Sequence, residues 1–276
     1  GNSGIGLALC KLLATEHGCY VYLGSRSAER GAAAVKSIVD DVPAAAGKIE
    51  VLLVDVSNDA SCTAAAATLQ AKGVVLYGLV NNAGVGLGHG DVGGVDAIMN
   101  TNYKGPLRMT EAFVGLIDSK MGRIVNMSSG VASMWLREQD AGTKALYSNP
   151  DITQEQLDVD LIKQQAANNL GIGAGYGLSK AALTSLTMIH AKNYPNLMVT
   201  SVHPGVIDTL MTKGFDLPKL SPEQGCLSSI KCLFGDVSTG FYYGSDGLRS
   251  PLTCTRDPGM PEYKGEADPD PKVYNN

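Results

Sequence analysis

An open, doubly wound parallel α/β sheet, three layers deep with helices on both faces, is the fold class this sequence predicts. Three observations predict it. Short β-branched or aliphatic runs alternate with alanine-rich stretches of helical length, and such alternation implies parallel pairing, because a parallel neighbour needs a crossover. The chain opens on a glycine-rich turn, Gly1-Asn-Ser-Gly4-Ile-Gly6, that runs straight into an apolar helix carrying Ile5, Leu9, Leu12 and Leu13. Finally, 33 of the 276 residues are glycine, above the usual share of about 7%; glycine suits tight turns and backbone brought close to a ligand. Sheets of this class bind ligands at the carboxyl ends of their strands, where the strand order reverses.

The elements follow in order. Helices are expected over 5–16, 28–40, 59–72, 95–118 and 176–193, each long enough to cross back over a sheet. Buried strands are expected over 19–24 (CYVYLG), 49–54 (IEVLLV), 76–80 (LYGLV), 123–127 (RIVNM) and 197–202 (LMVTSV). An insertion, placed at 134–172, breaks the alternation between Ser129 and Tyr176. Within it Thr153-Gln-Glu-Gln156 is a capping-box signature, followed by Leu157, Leu161 and Ile162 at helical spacing. The run 240–247 (GFYYGSDG) reads as the last strand and a loop. The tail, 257–276, carries Pro258, Pro261, Pro269 and Pro271 and is expected to be extended and poorly ordered at its end. With no internal repeat and no linker, residues 1–276 read as one domain.

Composition narrows the function. Acidic residues outnumber basic ones 27 to 22, for a net charge of −5, with no long basic run; nucleic acid and anionic membranes are poor partners for such a chain. Cys10, Cys19, Cys62, Cys226, Cys232 and Cys254 form no CxxC pair, so reduced thiols and a cytoplasmic setting are the expectation. No apolar stretch approaches the roughly 20 residues that span a bilayer. His17, His89, His190 and His203 are scattered, and no metal site is expected.

Ser3, Gly4, Ile5 and Gly6 form a turn whose backbone can approach a pyrophosphate, with its charge at the helix N-terminus. A glycine turn before a helix also occurs for structural reasons alone. At the end of the second expected strand stands Arg26, where a carboxylate would bind a ribose 2′-OH and a guanidinium matches a 2′-phosphate. Asp55 and Val56, ending the next strand, are placed to reach an adenine edge, or Asp55 to cap a helix.

Four further elements fall at strand ends or on the following helices: Asn81-Asn82-Ala83-Gly84, Asn102, Ser128-Ser129, and Tyr176-Gly-Leu-Ser-Lys180. Together, in this order and spacing, they closely resemble the short-chain dehydrogenase/reductase family, over nearly the whole chain from Gly4 to Thr209. The resemblance implies a Rossmann-type fold and an NADP(H)-dependent enzyme acting on C=O or CH–OH groups. It implies that Tyr176 passes the proton, that Lys180 supports it and holds the nicotinamide ribose, that Ser129 binds the substrate oxygen, and that Asn102 kinks its helix and holds a water near Lys180. Asn100 is the nearby decoy. Pro204, Gly205, Val206 and Thr209 match the segment that holds the nicotinamide carboxamide, and Asn82, Ala83 and Gly84 match the turn beside the cofactor. Asn82 reads first as a strand-end brace, Ser128 as structural, Tyr103 and Tyr194 as packing, and His203 as a strand-end residue.

Physics agrees with that pattern. Tyr176 and Lys180 lie one helical turn apart on one face. A nearby ammonium and the oxidised nicotinamide favour the phenolate, and moving a phenol from about 10 toward neutrality takes roughly 3–4 kcal/mol.

Two departures matter. The family's Thr-Gly-x-x-x-Gly-x-Gly run implies a first glycine, and a strand, ahead of Gly1; on that reading the chain is a fragment without its first strand. The 47-residue step from Ser129 to Tyr176 resembles the carbonyl reductase-like members, in which an added helix covers the dimer surface, so a monomer is expected. Carbonyl reduction is the activity expected, on a small-molecule ketone or aldehyde enclosed by the insertion and the segment after Thr209. Trp135, Met134, Leu210, Met211 and Phe215 are its candidate walls. The rivals are alcohol oxidation of a retinoid or steroid type, a sugar-nucleotide epimerase or dehydratase, and a non-catalytic NADP-sensing protein. The first uses the same residues, the second normally carries a larger C-terminal domain, and the third has no need of the Ser129–Tyr176–Lys180 set.

Overall fold

A computed structural model describes residues 1–86, 92–167 and 170–275; His89 lies outside them. Helix α1 (Gly4–Thr15) leads to β1 (Val21–Ser25), α2 (Ala28–Asp41), β2 (Ile49–Leu53), α3 (Asp59–Ala71) and β3 (Gly78–Asn81). There follow α4 (Gly94–Asn102), α5 (Lys104–Phe113), β4 (Arg123–Met127), α6 (Gly130–Arg137), α7 (Ala141–Ser148), α8 (Gln154–Ala166) and α9 (Ile172–Asn193). The chain closes with β5 (Met198–Val202), α10 (Leu227–Phe234), β6 (Tyr242–Tyr243) and α11 (Pro271–Tyr274).

All pairings between these strands are parallel. β1 runs beside β2, with Val21 opposite Ile49, and β3-β4-β5-β6 form a second ladder in that order. β1 and β3 line one long cleft from opposite sides. Among the described residues they share no ladder.

Local chemistry places the helices. Ser27 caps α2 by accepting from the Arg30 amide at 3.2 Å, and Asn58 caps α3 by accepting from Ser61 at 2.9 Å. The capping box of Thr153 and Gln156 starts α8, with both reciprocal bonds made. Leu157 and Leu161 bury one side of α8 against the core, whereas Ile162 turns to solvent. α9 is the central prop: it packs against α4, α6 and α8, and most of its length is buried.

The structure corrects several expectations. The strand expected over 76–80 begins later, at Gly78; Leu76 makes only an isolated bridge to Ile117. The single helix expected over 95–118 is two helices that break at Tyr103 and end in a 3₁₀ turn, Val114–Leu116. Pro106 explains the break, since it has no N–H to offer the carbonyl of Asn102. The tail is not loose at its end. Tyr274 is buried, its carbonyl accepts from the Asp257 amide at 2.8 Å, and Asn275 accepts from the Thr255 hydroxyl. The prolines help to order it: Pro271 opens α11 at its first turn and Asp270 caps it.

Candidate active site

One cavity of about 1800 Å³ runs from the cleft between β1 and β3 to the carboxyl ends of β4 and β5. At its first end sits the glycine turn. Gly4 adopts a φ of +53°, and a side chain there would meet Thr209 at 3.2 Å. A Cβ on Gly6 would stand 2.6 Å from Asn82 Nδ2. The turn, the Asn82 loop and the Thr209 segment therefore converge on one spot where only backbone fits. Ser3 stands at the N-cap of α1 without a side-chain bond, and Asn2, Ser3, Gly4, Ile5 and Gly6 all line the cavity; the unpaired N–H groups of a helix start suit a phosphate.

Arg26, at the end of β1, is exposed and faces the same cavity. Arg30, in the first turn of α2, lines it too. Sequence reasoning missed Arg30; Arg26 precedes the helix, so no helical spacing links the two. Asp55 Oδ1 accepts from the Ser57 amide at 3.0 Å and its hydroxyl at 2.6 Å. Burial pushes the Asp55 carboxyl up, but those two bonds, with the Arg26 charge, outweigh it and hold the group below its ordinary value. Asp55 thus does not cap α3; Asn58 does. Val56, Ala83 and Gly84 line the cavity beside it.

At the chemical end, β4 delivers Ser129 to the start of α6, where its Oγ accepts from the Val131 amide at 3.2 Å. The Ser129 hydroxyl proton is thereby left available to donate, and the hydroxyl's presence beside Tyr176 favours the phenolate. Tyr176 is buried on α9, and its hydroxyl also reaches Met211 Sδ at 3.7 Å. Lys180 Nζ lies 5.7 Å from the Tyr176 ring centre. Asn102 ends α4 and staples three segments: Oδ1 accepts from Val85 N at 2.8 Å, while Nδ2 donates to Val85 O at 2.9 Å and to Ser179 Oγ at 3.1 Å. Asn100 turns away, donating to Ser57 O at 3.2 Å. Of the two asparagines at the end of β3, Asn81, its last residue, is the brace, donating to Asn126 Oδ1 at 2.8 Å, and Asn82, just past it, faces the cavity.

Pro204, Gly205, Val206 and Thr209 all line the cavity, and Gly205 takes a φ of +89° that favours glycine. Ser128 is internal, donating to Lys180 O at 2.9 Å. Tyr103 is buried and donates to Asp158 of α8 at 2.8 Å. His203 packs its ring 5.5 Å from that of Tyr242, and burial draws it down to about 4.

Two expectations need correction. Trp135 is not a wall of the cavity. Its side chain turns into the α6–α9 contact, against Gly177 and 5.5 Å from the Tyr147 ring, and its neighbour Met134 lines the cavity instead. Nor do these residues alone pull the Tyr176 phenol toward neutrality. Burial pushes it up, the neighbouring Ser129 hydroxyl offsets only part of that, and the Lys180 ammonium is spent on the carbonyl of Met127 at 2.7 Å. Burial also takes Lys180 itself down to about 8. Leu210, Met211 and Phe215 do line the cavity.

The arrangement joins a phosphate-ready glycine turn to a buried phenol, a hydroxyl donor and an ammonium, which can hold a dinucleotide and exchange a proton with an oxygen. A family model described as short chain dehydrogenase matches residues 1–145. The (+)-neomenthol dehydrogenase of Arabidopsis thaliana is 30% identical over 264 residues, which span 83% of this chain and 88% of that protein. Among solved structures, salutaridine reductase from Papaver somniferum aligns with a TM-score of 0.75 at 24% identity, covering 88% of this chain and 97% of that one. The NADPH-bound carbonyl reductase from chicken fatty liver aligns with a TM-score of 0.63 at 22% identity, covering 90% and 95%. Those two structural likenesses concern the fold, a Rossmann-like parallel sheet with flanking helices, while the family model and the sequence relative carry the assignment: this chain belongs to the short-chain dehydrogenase/reductase family of oxidoreductases.

Proposed function

We propose that this chain reduces a ketone or aldehyde to the alcohol with NADPH, Tyr176 being the proton donor and Ser129 the residue that binds the carbonyl oxygen. The observation that carries this reading is the convergence of Ser129, Tyr176 and Lys180 in the one cavity that the glycine turn and Arg26 also line. A phenol that holds its proton at working pH serves as a general acid toward a carbonyl oxygen gaining negative charge.

The cradle fits NADPH: a Cβ on Gly6 would fill the space beside Asn82, and Arg26 and Arg30 present two guanidinium groups on the same wall. Gly4, Ile5 and Gly6 would hold the pyrophosphate, Arg26 and Arg30 the 2′-phosphate, Asp55 and Val56 the adenine, and Pro204, Gly205, Val206 and Thr209 the carboxamide. When bound, the cofactor supplies the hydride. The chain's own residues do the rest. Ser129 donates a hydrogen bond that orients the carbonyl oxygen, Tyr176 Oη gives that oxygen its proton, and the buried ammonium of Lys180, anchored on Met127, stabilises the phenolate left behind. Met134, Met211 and Phe215 wall the substrate end with apolar surface and exclude water.

A monomer accompanies this reading, because α8 covers α9 with Leu157 and Leu161; a sedimentation mass of two chains would contradict it. For the reaction, a carbonyl panel is scored by loss of reduced-nicotinamide absorbance with NADPH and with NADH. Tyr176→Phe is expected to lower kcat by about 10²–10⁴-fold, the range for a positioned acid, while NADPH affinity holds. Turnover by Tyr176→Phe at the parental rate would sink the scheme.

A further inference from the structure

Tyr242, from the short strand β6, makes a contact that the reaction above does not use. Its hydroxyl donates to the carbonyl oxygen of Ser129 at 2.9 Å, across 113 residues of chain. The phenol is buried, and its ring rests 5.5 Å from that of His203. Ladder pairing sets Tyr242 opposite Ser201 of β5, so its place is fixed by the sheet rather than by a loop.

Ser129 is held at three points. Its Oγ accepts from Val131 N, and its carbonyl accepts both from Ala132 N at 3.0 Å and from Tyr242. With the backbone held and Oγ accepting from Val131 N, the hydroxyl oxygen is fixed in place in the wall of the cavity that Tyr176 also lines. A carbonyl held only by its own helix turn would let the Ser129–Gly130 peptide rock, and the hydroxyl would rock with it.

We infer that Tyr242 is a positioning residue of the active site, locking the Ser129 backbone so that the serine hydroxyl points at the reacting oxygen. The inference rests on the proposed reaction for its kinetic consequence and on geometry alone for the lock itself. It commits β6, which closes the sheet edge, to the catalytic geometry at the end of β4.

Tyr242→Phe tests it while keeping the ring and its packing on His203. The expected result is a kcat lower by about tenfold, the size of one neutral hydrogen bond, with NADPH affinity unchanged and KM for the carbonyl little moved. Because the tyrosine acts through the serine, Tyr242→Phe is expected to add little on a Ser129→Ala background. A parental kcat in Tyr242→Phe, or losses that multiply in full in the double variant, would overturn the inference. A second reading needs no turnover. Amide exchange at Val131 and Ala132 is expected to quicken in Tyr242→Phe while that of α3 stays put, and unchanged exchange at those two amides would overturn the lock. If the parent reduces no carbonyl, the proposed reaction falls, and the amide exchange still judges Tyr242.

Discussion

Lys180 Nζ donates to the carbonyl oxygen of Met127 at 2.7 Å, in a position where the lysine is 2% exposed. The ammonium is buried with no carboxylate bonded to it among the described residues, and burial alone draws it down to about 8. In the unfolded chain the same group titrates at its ordinary value of 10.5. Between those values the unfolded state holds more protons than the folded one, so stability rises with pH from about 8 to 10.5. Below that window the buried charge costs the fold up to about 3 kcal/mol.

Lys180→Met is therefore expected to raise the melting midpoint at pH 7 and to flatten the rise of stability at alkaline pH, while catalysis is lost. Urea midpoints of parent and variant, measured at intervals from neutral to alkaline pH, check it. A variant less stable than the parent at neutral pH would show that the Met127 bond outweighs the burial.

His190 gives a slope of the same sign on the acid side. It is buried at the end of α9, its Nδ1 has no partner among the described residues, and burial pulls it down to about 4. The unfolded chain protonates this group at 6.5 and the folded one only near 4, so stability falls as pH drops through that interval. His203, also drawn to about 4, adds a second proton to the same slope. His190→Leu is expected to remove about half of that acid slope; an unaltered slope in urea titrations would place the acid sensitivity elsewhere.

Cofactor choice turns on two guanidinium groups. Arg26 and Arg30 line the cavity from the end of β1 and the first turns of α2, both exposed. A charge-assisted hydrogen bond is worth about 1.5–3 kcal/mol. Arg26→Ala with Arg30→Ala is then expected to raise KM for NADPH by at least tenfold and leave KM for NADH within about twofold. Equal loss with both nicotinamides would assign the arginines to structure rather than to the 2′-phosphate.

Much of this arrangement was legible before any coordinates, and particular residues show where legibility stops. β4 falls on residues 123–127 as expected because RIVNM is a continuous buried run, and α8 starts where its capping box stands. Ser129, Tyr176 and Lys180 converge because each follows a strand end or shares a helical face. Trp135 was misplaced because α6 is short and its sequence does not reveal which side meets α9; Gly177, which leaves room for the indole, lies 42 residues away. Tyr242 and Arg30 went unread for different reasons. The tyrosine's partner is set by sheet order, whereas the arginine sits on α2, whose facing the sequence does not show. The tail misled because prolines discourage regular structure, yet here one opens α11 and the buried Tyr274 ties it down.

The facing edges of β1 and β3 carry the last prediction. Both strands are parallel members of their ladders, and both line the same cleft. Among the described residues each is paired with a strand on one side only, apart from Gly24 O accepting from the Gly1 amine at 2.8 Å. Leu9, Leu13, Val21 and Leu79 give that cleft an apolar lining. Unpaired backbone along two facing edges is a template for an extended segment, and apolar walls reward β-branched side chains. An apolar strand of about five residues, the usual strand length, is expected to bind there when offered as a peptide or joined ahead of Gly1. Binding to the folded state raises stability, so the melting midpoint should climb by several degrees. Amide exchange at Tyr22 and Val80, whose N–H groups face away from β2 and β4, should slow at the same time. A peptide with proline at alternate positions cannot supply the ladder and serves as the control. If the apolar and proline peptides shift the midpoint equally, the two edges are not a strand socket, and the glycine turn beside them is held by α1 alone.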